Sequence, residues 1–106
     1  GNDQGGLCAK IDSKGRVSLT WQPPINTLPR AYDIYRFEEN GNTSCLEAVK
    51  HTRFRDPLAL GGVKYTYYVR AITADGHVSL PSNTVSISLP IPDYATNLKE
   101  HTVNHV

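Results

Sequence analysis

The side chains in this 106-residue chain that could do chemistry are few, and their spacing limits what each can support. His101 and His105 stand four positions apart, which would put two imidazoles on one helix face for a metal ion. Thr102, Val103 and Asn104 between them lack helical support and no third ligand is near, so the pair reads as solvated tail and no metal site is expected. His51 and His77 fall beside turn signals and are expected to be exposed. Glu38 and Glu39 immediately precede Asn40-Gly41, where both acids would be solvated instead of arranged across a scissile bond. Serines are plentiful, but there is no Gly-x-Ser-x-Gly elbow, no glycine-rich phosphate loop and no Walker lysine. No catalytic residue and no cofactor is expected.

The two cysteines leave two alternatives. Cys8 and Cys45 would form a disulfide if the first strand met the strand after the Asn40 turn at an edge, with Cα atoms about 4.4 to 6.8 Å apart. Otherwise they are buried or half-buried thiols that pack as small hydrophobes. Two cysteines are too few for a disulfide scaffold or an all-thiolate zinc site. Asn42-Thr43-Ser44 has the form of an N-glycosylation acceptor on a turn, a pattern without consequence in a bacterial protein.

The elements that must position these groups are strands. Seven prolines and eight glycines cut the chain into short pieces, and nowhere do apolar residues recur at helical spacing over a helical length. Alternation recurs instead: Val17, Leu19 and Trp21 share one face, Ser18, Thr20 and Gln22 the other, and Pro23-Pro24 ends the run. Leu7 to Ile11 forms an initial edge strand, turned by Ser13-Lys14-Gly15. Ala31 to Phe37 follows, with Tyr32 and Ile34 inward and Asp33 and Tyr35 outward. After Asn40-Gly41 come weaker strands at Cys45 to Val49 and Thr52 to Phe54, and then a loop marked by Asp56-Pro57 and Gly61-Gly62. Val63 to Ile72 is the strongest strand, and Asp75-Gly76 hands over to Val78 through Leu89, interrupted at Pro81-Ser82. About seven strands at roughly 8 to 12 residue intervals predict an antiparallel immunoglobulin-like β-sandwich. Residues 1–6 read as a disordered linker or cloning scar, 7–90 as the folded domain, and 91–106 as a polar tail.

In this arrangement Tyr35 and Phe37 point outward from one strand, and Thr66, Tyr68 and Arg70 from its expected neighbour. Cross-strand aromatic pairs stabilise a sheet by about 0.2 to 1 kcal/mol each, so reinforcement is the plainest role for Tyr35, Phe37, Tyr68 and Arg70. Aromatic and arginine side chains are also favoured at interfaces, so the same ribbon is a candidate face for docking a neighbouring domain or stacking on a sugar ring.

The order of landmarks over residues 7 to 90 resembles a fibronectin type III domain. Trp21 looks like that family's core tryptophan, and Tyr32 and Ile34 resemble its third-strand core pair. Tyr65-x-Tyr67-x-Val69-x-Ala71 is similar to its sixth-strand pattern of alternating core residues, with Tyr65 at the tyrosine-corner position. Ser79, Pro81, Ser82 and Asn83 resemble the family's seventh-strand start, whereas the loop from Pro57 to Val63 departs from its usual leucine and proline spacing. Tyr32-Asp33-Ile34-Tyr35-Arg36, Tyr65-Thr66-Tyr67, and Asp75-Gly76 with its Ser-x-Pro-Ser run resemble modules appended to bacterial secreted carbohydrate-active enzymes and surface lipoproteins.

The resemblance implies a non-catalytic accessory or spacer module of a larger extracytoplasmic protein, positioning neighbouring domains of the same chain or contacting other proteins. Its alternative implication is a carbohydrate-binding or cell-surface adhesion module that takes polysaccharide on the aromatic face. Eleven Lys and Arg against ten Asp and Glu leave a net charge of +1, so no global field favours a nucleic acid. No apolar run approaches the roughly 20 residues of a membrane helix, and no direct membrane insertion is expected. The N-terminus carries no basic and apolar export pattern, so any such signal is expected outside this sequence.

Overall fold

A computed structural model describes residues 6–39 and 41–91. The chain forms seven strands: β1 (Cys8–Ile11), β2 (Val17–Thr20), β3 (Ala31–Glu38), β4 (Thr43–Val49), β5 (Arg53–Asp56), β6 (Lys64–Ile72) and β7 (Val85–Ser88). They make two antiparallel sheets, ordered β1-β2-β5 and β4-β3-β6-β7. This is a fibronectin type III-like sandwich of three strands on four. The paired His101 and His105, the linker positions 1–5, the turn residue Asn40 and the tail from residue 92 onward lie outside the described residues.

Alternation builds the core. Val17 and Leu19 from the three-stranded sheet face Tyr32, Ile34, Tyr65, Tyr67, Val69 and Ala71 from the four-stranded one, and all are buried. Each large apolar side chain fully removed from water contributes about 1.5 to 3 kcal/mol. β6 shows the period-two pattern most plainly, with Tyr65, Tyr67, Val69 and Ala71 buried and Thr66, Tyr68 and Arg70 between them half-buried. Trp21 lies one position past β2, where its N–H bonds to the Thr52 carbonyl (3.1 Å) and carries the β2-β5 register one pair further.

The larger departures from the sequence reading are at β4, β5 and β7. β4 starts at Thr43, because Gly41 with φ 101 and a Gly41 N–H to Glu38 carbonyl bond (2.8 Å) close the β3-β4 turn early enough for Thr43 to pair with Phe37. β5 runs on to Asp56, which pairs with Val17. β7 shrinks to Val85–Ser88, with Val78 reduced to an isolated bridge to Ile72. Pro81 has no N–H to give, and the register against β6 moves by two residues between Val78 and Val85. Two serines repair the break: Ala71 N–H donates to Ser79 Oγ (2.9 Å) and Val69 N–H to Ser82 Oγ (3.0 Å).

The cysteine expectations require correction. Cys8 and Cys45 are both free and both exposed. Cys8 is on β1, which packs beside β7, whereas Cys45 is on β4 at the far edge of the other sheet. The two edges do not meet, so neither the disulfide nor the buried-thiol alternative holds.

The pairings also fix direction. Within the three-stranded sheet β1 and β5 run one way and β2 the other, and within the four-stranded sheet β3 and β7 run one way and β4 and β6 the other. Leu7 is held at one end, where its N–H donates to Asn83 Oδ1 (2.8 Å) and its carbonyl accepts from Asn83 Nδ2 (3.1 Å). Leu89 sits at the other, its carbonyl accepting from Gly62 N–H (2.8 Å). Gly62 has φ +83, and a Cβ there would sit 3.2 Å from Ile91 Cγ1, so glycine is the residue that fits.

Candidate interaction face

The outer surface of the four-stranded sheet carries Tyr35, Phe37, Tyr68 and Arg70 together, as neighbours on β3 and β6. Tyr35 is directly opposite Tyr68, Phe37 opposite Thr66, and Asp33 opposite Arg70. The Tyr35 and Tyr68 rings stack with centroids 4.9 Å apart and planes 10° from parallel. The Arg70 guanidinium lies over the Tyr35 ring at 5.8 Å, and the Tyr35 hydroxyl donates to Asp33 Oδ2 at 3.5 Å. Partial desolvation, followed by the Asp33 charge, pushes the Tyr35 hydroxyl above the ordinary phenol range. Each ring therefore covers one flat face of the other. All four side chains are half-buried.

Cys45 is opposite Tyr35 on β4, and partial desolvation, with the Asp33 charge second, pushes its thiol up and away from the reactive thiolate. Glu38 and Glu39 are exposed beside Lys64 around a hollow of about 230 Å³. His51 is exposed, and exposed His77 pairs through Nδ1 with Asp75 Oδ2 (2.9 Å). Asn42 is exposed at the head of β4. Among the described residues no three His, Cys, Asp or Glu side chains come together as a metal-ligand group.

A second cluster escaped sequence reasoning. Asp56 is only 2% exposed, on the inner side of the three-stranded sheet. Its Oδ2 accepts from Arg36 Nη1 (2.9 Å) and the Tyr67 hydroxyl (2.6 Å), and its Oδ1 accepts from Leu58 N–H (2.9 Å). Arg36 also lies over the Tyr65 ring at 4.6 Å, and the Tyr65 hydroxyl accepts from Leu60 N–H (3.0 Å), which ties the long loop to β6. Burial first, and then the bond to Asp56, drives the Tyr67 hydroxyl far above the ordinary phenol range. The carboxylate, guanidinium and phenol satisfy one another at the sandwich end where Leu89 leaves. The cluster is a structural clamp, with its charges spent on each other.

The parity of the strands carried a signal for it. Arg36 shares a face with Tyr32 and Ile34, and Asp56 shares one with Phe54. An Asp-Pro pair reads as a solvated loop only if the strand before it stops short.

No protein-family model and no curated protein matches the chain. Solved structures do. It is similar to an Fn3-like protein from Clostridium thermocellum, with 27% identity and a TM-score of 0.68, covering 82% of this chain and 91% of that one. It is also similar to part of a beta-1,2-glucanase from Parabacteroides distasonis, at 25% identity and TM-score 0.67 over 87% of this chain and 13% of the glucanase. A third match is the pectate lyase PelI from Erwinia chrysanthemi, at 18% identity and TM-score 0.64 over 76% of this chain and 27% of the lyase. The matched portions of the last two are therefore domains within longer chains, both of them carbohydrate-active enzymes.

Proposed function

We propose that this chain is a non-catalytic spacer or accessory module of a larger extracytoplasmic, bacterial carbohydrate-active protein, and that the Tyr35, Phe37, Tyr68 and Arg70 face docks a neighbouring domain. The observation that carries this reading is the path of the chain, which comes in at Leu7 on one end of the sandwich and leaves at Leu89 on the other. Both positions are pinned by the hydrogen bonds from Asn83 and Gly62. A module strung this way sets a fixed distance between whatever precedes and follows it, because the strands between its ends are stiff. The similar portions of the glucanase and the pectate lyase, each a fraction of a longer chain, support the same placement.

The aromatic face suits protein contact better than sugar stacking. Sugar rings pack on the flat of an aromatic ring; Tyr35 and Tyr68 each have one such face taken by the other, and the Arg70 guanidinium also lies over the Tyr35 ring. Their edges, hydroxyls and the adjacent guanidinium offer a mixed polar and apolar surface of the kind enriched at interfaces.

Titration of the domain with a panel of neutral oligosaccharides, followed through the amide signals of Tyr35, Tyr68 and Arg70 by NMR, tests the choice. Silence is the expected result. Saturable shifts at those three positions would replace docking with carbohydrate binding, and turnover of any member of the panel would overturn the non-catalytic role.

A further inference from the structure

The net charge of +1 conceals a strong asymmetry between the two sheets. Residues 6–22 and 50–57, which hold the three-stranded sheet and its turns, carry six Lys and Arg and two carboxylates. One of those two, Asp56, points into the core and is neutralised by Arg36. Residues 31–49 and 64–72, which hold β3, β4 and β6, carry three cations against four carboxylates. The positive charge is therefore gathered on one side of the sandwich.

Register arranges it in rows. Lys10 pairs with Ser18, which pairs with Arg55; Cys8 pairs with Thr20, which pairs with Arg53. The outer face of this sheet is thus a column of hydroxyls between a lysine on one side and two arginines on the other. Arg53 and Arg55 are two residues apart on one strand, about 6.8 Å, and Lys10 lies two strand spacings from Arg55, about 9 to 10 Å. Lys10 and Arg53 make no ion pair among the described residues, and Arg55 spends only its Nε on Asp12 (3.1 Å). Beside the arginines a hollow of about 370 Å³ is lined by Ser18, His51, Arg53, Phe54, Arg55 and Pro57, with Glu47 as its single acid.

We propose that this face binds an acidic polysaccharide, one whose sugar units carry carboxylates. Arginine forks match carboxylates two bonds at a time, and the interleaved Ser18 and Thr20 hydroxyls meet the sugar hydroxyls between them. Other polyanions fit less well. The outward strand positions hold no large apolar side chain to enter a bilayer, and Phe54, the ring beside the hollow, packs half-buried against the core, which leaves little of it for a nucleobase to stack on. This surface lies opposite the tyrosine ribbon and is independent of the docking role proposed for it.

The probe is sodium polygalacturonate, titrated calorimetrically into the full chain at low and at about physiological ionic strength, where screening reaches down to roughly 8 Å. Binding that weakens with salt is expected. The triple variant Lys10→Gln, Arg53→Gln, Arg55→Gln should bind about tenfold more weakly, because exposed charges contribute modestly one by one and add. Tyr68→Ser should bind as the parent does. Arg53→Glu alone, at a side chain with no described partner, should lower affinity with an unchanged unfolding midpoint, which separates lost binding from lost fold. The proposal is overturned by no binding at low salt, by an undiminished triple variant, or by equal binding of a neutral β-glucan. Equal binding of duplex DNA or of phosphatidylglycerol vesicles at matched charge would overturn it as well.

Discussion

The two ends of the sandwich close in opposite ways. At the end where Leu7 comes in, Trp21 meets Tyr32 edge to face, with centroids 5.5 Å apart and planes at 71°. Around them Pro24, Val69, Ala71 and Leu80 line an apolar hollow of about 310 Å³. The indole Nε1 is buried there without a hydrogen-bond partner among the described residues. At the other end the Asp56, Arg36 and Tyr67 side chains close the core with polar groups whose bonds are made. One end is held by contact area and tolerates an unsatisfied donor, whereas the other is held by directional bonds and tolerates almost no loss of a partner. A small sandwich can thus be sealed by either means, and the two means should fail differently.

Deleting the centre of each end gives the largest effects. Trp21→Ala should cost about 3 to 5 kcal/mol in urea unfolding, through lost burial and the cavity left behind. A loss below about 1 kcal/mol would contradict the ring's place in the core. Asp56→Ala should cost a similar amount, about 3 to 5 kcal/mol, because it strands a guanidinium that is 15% exposed and a buried phenol. The ends then part company. Adding Arg36→Met to Asp56→Ala should recover a substantial share of the loss, since no uncompensated charge remains. No second substitution should restore the Trp21 end short of refilling its volume. If Arg36→Met deepens the loss, the clamp is not held by charge pairing.

That contrast also explains which parts of the molecule were legible in the sequence. The apolar core, with its Trp21 end, was readable because alternation marks its members directly: Val17, Leu19 and Trp21 in one run and Tyr32 and Ile34 in another. Turn chemistry at Asn40-Gly41 and Asp75-Gly76 then separated the strands in the right order. The polar end was hidden because Arg36 and Asp56 carry the wrong chemistry for a buried position, and only partnership across the two sheets makes them tolerable there. Cys8 and Cys45 misled for a related reason: spacing along the chain does not say which edges of a sandwich adjoin. The tyrosine ribbon came out of alternation alone, but the mutual stacking that covers one face of each ring did not. The basic face was invisible in a net charge that sums both sheets.

Alkaline titration sharpens the comparison next. The Tyr67 hydroxyl is raised by burial and by its bond to Asp56, so the folded chain keeps a proton that the unfolded chain releases near pH 10. Its contribution is complete below that pH and declines as the pH climbs toward the folded value. Tyr67→Phe should cost about 1 to 3 kcal/mol at neutral pH, because Asp56 loses one donor. It should also flatten the fall in stability above about pH 10. Tyr32 and Tyr35, raised chiefly by desolvation, leave a residual slope in both proteins. Parallel curves for parent and variant would mean that Tyr67 is not the group carrying the alkaline loss.

The smallest effects come from single bonds that tie the chain down at each end. Tyr65→Phe removes the acceptor for Leu60 N–H, and Asn83→Ala removes both bonds to Leu7. Each should cost about 0.5 to 1.5 kcal/mol globally, close to the net worth of a neutral hydrogen bond. Hydrogen exchange tells them apart. Loss of the Asn83 bonds frees β1, which packs against the other sheet chiefly along β7, so exchange should quicken in Cys8–Ile11 and leave β6 unchanged. Loss of the Tyr65 hydroxyl should loosen the loop around Leu60 while the ring, 1% exposed, keeps its packing. A fixed separation between the two ends needs both tethers, so a chain in which Asn83→Ala leaves β1 exchange untouched would locate the N-terminal anchor in the β1-β2 ladder instead.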